Sequence, residues 1–104
     1  MSSTNKVSTD TNYEFESHCH AGAELFAVKN KQYGNAFEVY GLLGVVCEIL
    51  GACARLPQLV LWSPDHGKAA KESLIDILTD IHNFANMALI VIDRDNWDGR
   101  RDGS

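Results

Sequence analysis

The amino-acid sequence predicts an all-α fold, an antiparallel helical bundle of about three main helices completed by oligomerisation. Three long segments with helical patterning are joined by short connections, which is typical of antiparallel neighbours in a bundle. No stretch shows the strict apolar and polar alternation of a half-buried strand, and no hairpin signal joins two strand-like runs. With 104 residues the chain is one small domain, and a second copy would help to complete its core.

The N-terminal part of the chain predicts a tail followed by a first helix. Residues 1–12 are rich in Ser, Thr, Asn and Asp and are expected to form a disordered tail before a single helical domain over residues 13–93. The first helix should run from about residue 13 to residue 32, because apolar side chains recur there at helical spacing. Gly34 is expected to end it, since glycine readily adopts the left-handed conformation of a helix terminus.

Two further helices are predicted after this turn. The second should run from about residue 36 to residue 61, and Pro57 should kink or end it near Leu56 because proline has no backbone N–H. The third, over residues 68–93, has the clearest amphipathic pattern of the chain. Residues 94–104 are polar, carry two glycines and predict a C-terminal tail.

The composition limits the function and the location of the protein. The formal net charge is −5, whereas a protein that binds duplex nucleic acid would show a basic surface. The three cysteines form no C-x-x-C pair and are expected to be small buried hydrophobic residues in a reducing compartment. The N-terminus lacks the apolar core of a signal peptide, and the apolar run of residues 42–54 is shorter than the ~20 residues that span a bilayer. We expect a cytoplasmic protein without a membrane partner.

Acidic residues on two of the predicted helices indicate a metal site. Glu48 is the only charged residue in the apolar run of residues 42–54, and a buried carboxylate needs a partner. The third helix carries four oxygen-bearing side chains within roughly 80° of arc: Glu72, Asp76, Asp80 and Asn83. If the two helices face each other, these oxygens would suit a hard divalent cation such as Mg²⁺.

Each of these features also has a plain structural interpretation. The acidic stripe is equally compatible with a solvated helix face, although like charges one turn apart repel each other by ~0.2–0.5 kcal/mol per pair. Glu48 could instead form an internal ion pair with Arg55, His82 or Lys29. His18, Cys19 and His20 are adjacent and point in different directions on a helix, so we do not expect a metal site there.

The segment KNKQYGNAF, residues 29–37, adds positive charge beside a turn. Two lysines, an aromatic ring and a flexible glycine are what the binding of a nucleotide polyphosphate requires. Lysines near a helix C-terminus are also common complements of the helix dipole. Arg55 lies on the same helical face as Glu48, where flanking small residues would let a phosphate approach.

The order of these motifs resembles a known superfamily. K-x-K-x-Y-G-N-x-F is followed by a helix with a lone Glu that ends A-R-L, and then by D-I-L-T-D-I-H-N-F-A. This order is similar to the all-α nucleoside triphosphate pyrophosphohydrolases, the superfamily of MazG and the dimeric dUTPases. Within it, the chain most resembles the small nucleotide-modification-associated domain often carried by bacteriophages, which would act in the host cytoplasm. The similarity covers about residues 24–92.

The resemblance implies a MazG-like bundle, a homo-oligomer such as a dimer or tetramer, that binds Mg²⁺ or Mn²⁺. Such hydrolases cleave an NTP or dNTP between the α and β phosphates and release the monophosphate and pyrophosphate. Glu48, Asp76 and Asp80 match the metal ligands, with Glu48 and Asp80 catalytic, and Glu72 is a further metal ligand one turn outside the pattern. The substrate-binding residues are then Lys29, Lys31, Tyr33, Asn83 and Arg55.

One departure from the superfamily leaves three hypotheses open. The first acidic motif is commonly E-x-x-E, but Val45 and Gly51 stand three residues to either side of Glu48. The chain is therefore expected to be a pyrophosphohydrolase with one Mg²⁺ delivered with the nucleotide, or a protein that binds or sequesters nucleotides without hydrolysing them. The third hypothesis is a helical protein-interaction module without a pocket.

Overall fold

The structure, a computed structural model, describes residues 2–62 and 67–97, and the side chains of all of these except residues 2–9, 33 and 62. This part of the chain forms three helices and no strand. Helix α1 spans Ser2–Tyr33, α2 spans Phe37–Trp62 and α3 spans Lys68–Asp93. The predicted all-α fold of three main helices is confirmed, and the bounds of α3 are those that its amphipathic pattern predicts.

The first helix begins earlier than its sequence pattern indicates. Its backbone is helical from Ser2, whereas the polar composition of residues 1–12 predicts a tail. The connection to α2 lies where Gly34 predicts it, because Gly34 and Asn35 both adopt positive φ, at 58° and 60°. Asn30 stabilises this turn: its side-chain oxygen accepts a hydrogen bond from the Asn35 backbone N–H over 3.2 Å.

The sequence predicts that Pro57 kinks or ends α2 near Leu56, and the prediction of an end there is wrong. Helix α2 continues through Pro57 to Trp62. Proline removes one N–H, so the carbonyl of Cys53 loses its helical partner. Both Cys53 and Pro57 are exposed, and on an exposed helix face water can satisfy that carbonyl.

The irregularity of α2 lies instead at Gly41. This buried residue has φ 70° and ψ −169°, which only glycine adopts at little cost, and it interrupts the helix after its first turn. The interruption leaves the next backbone N–H groups without intrahelical acceptors. The N–H of Leu42 donates to the carbonyl of Asn96 over 3.1 Å, and that of Leu43 donates to the carbonyl of Trp97 over 3.4 Å.

The segment after α3 therefore caps α2 rather than forming part of a free tail. Asn96 is only 2% exposed, and its side-chain amide donates to the Glu38 carbonyl over 2.7 Å. Arg94 and Glu38 form an ion pair of 2.8 Å at the same junction. Residues 98–104 of the predicted C-terminal tail lie outside the described residues.

Helix α3 is the centre of the bundle. It packs along most of α2, and because residues 96 and 97 contact the start of α2, the two helices are antiparallel. Helix α1 contacts α3 over a shorter length. The buried apolar side chains are few in the described part of the chain: Val45, Ala52, Ile77 and Val91.

Helix α1 approaches α3 closely at Gly22. A Cβ built on Gly22 would lie 2.8 Å from Nδ1 of His82 and 3.1 Å from Oδ1 of Asn83. Real Cβ atoms do not approach ring and amide atoms this closely, so only glycine fits without displacing His82 or Asn83. Gly51 on α2 is the opposite case, since a Cβ there would meet nothing within 4 Å.

Replacing Gly22 and Gly51 by alanine should change the free energy of unfolding in opposite directions. Gly22→Ala is expected to lower the free energy of unfolding by about 1–3 kcal/mol, because the helices must separate or side chains must leave their rotamers. Gly51→Ala, the matched control, should raise it by up to about 1 kcal/mol through helix propensity alone. Urea unfolding followed by circular dichroism measures both, and equal effects at the two sites would contradict the close approach of α1.

Helix α2 exposes several large apolar side chains, among them Leu43 at 69% and Leu50 at 64% exposure. The expectation that the cysteines are buried is wrong for Cys47 and Cys53, which are exposed on the face of α2 that α3 does not cover.

Helices α2 and α3 also pass a simple test of length and hydropathy for membrane spans. The segments Phe37–Leu61 and Lys68–Asp93 have mean hydropathies of 1.7 and 1.4, and only 17% of each tested window is buried. One or two such helices are weak evidence for a membrane protein. What they establish is that both helices present apolar side chains outward.

Candidate functional site

An aromatic cavity lies where α1, α2 and the second half of α3 meet. Its volume is about 230 Å³. Phe26 and Phe37 form part of its wall in an edge-to-face arrangement, with ring centroids 6.1 Å apart. The two rings lie on either side of the Asn30–Asn35 turn in the sequence, Phe26 on α1 and Phe37 at the start of α2. Tyr40, Phe84 and Met87 complete the apolar lining.

Three polar side chains line the same cavity: Lys29, Asn30 and Glu48. They come from α1 and α2, and they bring one cation, one amide and one carboxylate to an otherwise apolar space. The structure thus brings together Lys29 and Glu48, two of the site residues that the sequence predicts. The expectation that Glu48 is buried is wrong, since its side chain is exposed at the mouth of this cavity and only one face of α2 is covered by α3.

Lys29 also contacts the acidic residues of α3. Its Nζ lies 3.6 Å from Oδ1 of Asp80, and both side chains are partly exposed. Lys29 therefore stands between the cavity that Glu48 lines and the acidic stripe of α3. Of the internal partners considered for Glu48, Lys29 is the one that shares its cavity, but the ion pair of Lys29 is with Asp80.

Asp76 and Asp80 line a second, more open hollow between α2 and α3, with a volume of about 450 Å³. Arg55 and Gln58 line its other side. The spacing of four residues on α3 predicts this pairing of the two aspartates, and the antiparallel packing of α2 adds Arg55 opposite them. Two carboxylates and one guanidinium thus meet in a space open to solvent.

The predicted carboxylates do not all converge. Glu48 lines the aromatic cavity, whereas Asp76 and Asp80 line the open hollow. Glu72 is exposed one turn earlier on α3. Over residues 2–62 and 67–97, no three His, Cys, Asp or Glu side chains are grouped closely enough to hold a metal ion by themselves.

The remaining predicted residues have varied positions. Asn83 is buried at 6% exposure between α1 and α3, and its Oδ1 lies 3.0 Å from Nδ1 of His82. It lines a small hollow of about 130 Å³ that shares Phe26 and Met87 with the aromatic cavity. Lys31 is exposed on α1, and the side chain of Tyr33 lies outside the described part of the chain.

The histidines of α1 are divided between two environments. His20 lies 3.5 Å from Glu24 on the exposed side of the helix. His18 and Cys19 line a cleft of about 340 Å³ between α1 and α3, together with His82. Two of the three adjacent residues, His18 and Cys19, thus line one cleft, and His20 lies outside it.

The sequence carries little signal of the aromatic lining. Phe37 belongs to the segment KNKQYGNAF, and its position after the turn could have indicated that it folds back on α1. Phe26, Phe84 and Met87 follow the apolar spacing of any core helix, so their sequence carries no signal of a cavity. Asn30 has a weak sequence signal, since an Asn near a second Asn in a turn can stabilise that turn through its side chain.

Fold and site together define a small all-α three-helix bundle with an aromatic cavity, a lysine at its polar end and acidic residues beside it. No family model, no curated protein and no solved structure matches this chain.

Proposed function

We propose that this protein is a Mg²⁺-dependent nucleoside triphosphate pyrophosphohydrolase that converts an NTP or dNTP into the monophosphate and pyrophosphate. The observation that carries the proposal is the aromatic cavity with Lys29 and Glu48 at its polar end and Asp80 in contact with Lys29. This combination supplies an apolar space for a base, a cation for phosphate and carboxylates for a hydrated metal ion.

The cavity suits the base of a nucleotide because its walls are mainly aromatic. Bases stack on aromatic rings with a gain of about 1–3 kcal/mol per base, largely independent of which base it is. Asn30 also lines the cavity, but its amide is already hydrogen-bonded to Asn35 in the turn, so the rings carry the proposed recognition of the base. Lys29 would receive the phosphates, because an ammonium forms strong charge-assisted hydrogen bonds with them.

The acidic residues fit a Mg²⁺ ion that arrives with the nucleotide. Mg²⁺ is commonly held by one or two carboxylates together with substrate phosphates and waters, rather than by a cage of protein ligands only. Asp76 and Asp80 provide two carboxylates in one hollow, with Glu72 a turn away as a further ligand. When bound, such an ion would neutralise phosphate charge and make a coordinated water more acidic.

The residues of this chain would then have separate tasks. Glu48 is the base that accepts a proton from the attacking water at its carboxylate oxygen, since it lies at the mouth of the cavity. Lys29 exchanges its contact with Asp80 for the phosphates and so orients them. Arg55, which lines the hollow of the two aspartates, supplies a second cation for the leaving pyrophosphate.

A panel of NTPs and dNTPs with Mg²⁺ tests this proposal. Release of pyrophosphate together with the monophosphate, dependent on the divalent cation and abolished by EDTA, is the expected result. The same incubation should be analysed for orthophosphate, because release of orthophosphate alone would mean cleavage at a different bond. If none of the nucleotides gives a product, the proposed hydrolase activity is ruled out.

A second candidate function is nucleotide binding or sequestration without turnover. It is favoured by the separation of Glu48, in the aromatic cavity, from Asp76 and Asp80, in the open hollow. Calorimetry with a non-hydrolysable triphosphate and Mg²⁺ distinguishes the two functions when combined with the product assay. Binding of the analogue with no product from the natural nucleotides identifies a binder, and turnover excludes it.

A further inference from the structure

A short stretch of chain forms one wall of the aromatic cavity. We call residues 36–40 the wall turn, and Phe37 and Tyr40 within it both line the cavity. The backbone leaves helical geometry on either side of this stretch, with φ of 60° at Asn35 and 70° at Gly41. Because the helix is interrupted at Gly41, the helical hydrogen bonds of α2 beyond this residue do not hold the wall turn in place.

The wall turn closes the cavity against α1. Helix α1 packs on α3 and not along α2 in the described part of the chain. The ring of Phe37 meets Phe26 of α1 edge to face, with the ring centroids 6.1 Å apart. The position of the wall turn therefore sets the distance between its aromatic side chains and α1, and with it the width of the cavity.

On its other side the wall turn is attached to the segment after α3, and the attachment is made through Glu38. The Asn96 side-chain amide donates to the Glu38 carbonyl over 2.7 Å, and the Arg94 guanidinium lies 2.8 Å from the Glu38 carboxylate. The carbonyl of Asn96 also accepts a hydrogen bond from the Leu42 N–H, which lies beyond the interruption. The segment thus joins the wall turn to the rest of α2 across Gly41. Neither Arg94 nor Asn96 lines the cavity itself.

We propose that Arg94 and Asn96 are positioning residues of the aromatic cavity, which hold the wall turn through Glu38 in the place where the cavity can bind its ligand. When this attachment is lost, Phe37 and Tyr40 occupy the binding position for a smaller fraction of the time, and the apparent affinity for a ligand falls by that fraction. The coupling is reciprocal, so a ligand in the cavity also stabilises the attachment. That the ligand is a nucleotide rests on the proposed function, whereas the positioning of the wall turn is a property of the free protein.

A double-mutant cycle tests the positioning role without any ligand. Phe37→Ala raises the equilibrium constant of unfolding, measured in urea, because the contact with Phe26 is lost. In the Asn96→Ala background this rise should be at least fivefold smaller, because a loosened wall turn no longer holds Phe37 against Phe26. Ile77→Val is the control, since Ile77 is a buried residue of α3 outside the cavity, and its effect should agree between the two backgrounds within about twofold.

A second variant covers the case in which Asn96→Ala does not fold. Arg94→Ala then replaces it, because the Arg94 side chain is half exposed and the loss of such an ion pair leaves a bundle folded. The effect of Phe37→Ala should shrink about threefold in this background. An effect of Phe37→Ala that is the same in every background overturns the proposal, and so does an equal reduction for Ile77→Val.

The nucleotide assay separates positioning from direct attraction of phosphate. Arg94→Ala and Glu38→Gln should both raise KM about threefold or more and leave kcat within twofold, because each breaks the same attachment. A direct role of Arg94 as a cation for phosphate predicts the opposite for Glu38→Gln, which removes a negative charge and would then lower KM. Lys71→Ala, which removes an exposed cation near the start of α3, should change neither constant. A lower KM for Glu38→Gln overturns the positioning role. If the wild type binds no nucleotide, the proposed function fails, and the double-mutant cycle alone decides the positioning role.

Discussion

Glu48→Gln is expected to reduce pyrophosphate release by about 100-fold or more, with little change in the affinity for the nucleotide. The glutamine side chain has nearly the same size as the glutamate at the mouth of the cavity. Its amide cannot accept a proton at neutral pH, and it carries no negative charge that could balance a nearby cation. General acid–base catalysis contributes about 10²–10⁴-fold to a rate, which sets the expected loss. Initial rates of pyrophosphate release over a range of nucleotide concentrations separate kcat from KM.

The control for this substitution is Glu24→Gln. Glu24 is exposed on α1 and contacts His20, away from the cavity, so this variant should retain the wild-type rate. Equal circular dichroism spectra and unfolding midpoints of the wild type, Glu48→Gln and Glu24→Gln would show that neither substitution changes the fold. A Glu48→Gln variant with full activity would exclude Glu48 as the base, and equal losses at Glu24 and Glu48 would indicate a nonspecific effect of charge.

Asn96→Ala should lower the free energy of unfolding by about 1–3 kcal/mol, the cost of leaving a buried polar group unsatisfied. The side-chain amide of Asn96 donates to the Glu38 carbonyl over 2.7 Å in a place that is 2% exposed. Alanine removes this donor from the Glu38 carbonyl. Since 1 kcal/mol shifts the melting temperature of a domain of about 100 residues by roughly 4–8 °C, the change is readily measured.

The effect should be specific to the junction of α2 and the segment after α3. Asn86→Ala is the control, because Asn86 is exposed on α3 and alanine has the higher helix propensity, so stability should stay equal or rise slightly. Both variants are compared with the wild type at one protein concentration, because the unfolding midpoint of any self-associating protein depends on its concentration. If Asn96→Ala is as stable as the wild type, the hydrogen bond to Glu38 makes no net contribution to the free energy of unfolding.

The fold class and the bounds of α3 follow from local information. The helical spacing of apolar residues and the absence of alternating apolar and polar residues can both be recognised within a single segment. The sequence alone therefore predicts three helices and, through Gly34, the first turn. Pro57 shows the limit of such reasoning. Its effect depends on whether the carbonyl of Cys53 can be satisfied elsewhere, and that depends on the exposure of this face of α2.

For the candidate site, the sequence by itself determined which residue types stand one turn apart: Asp76 and Asp80 on one helix, and lysines before the turn. Only the tertiary structure decided that Lys29 meets Asp80, that Glu48 shares a cavity with Phe26 and Phe84, and that Asn83 is enclosed beside Gly22. The physical reason is that periodicity specifies the direction of a side chain relative to its own helix axis. Which neighbour lies in that direction depends on how the helices pack, and in this chain α3 covers only one face of α2.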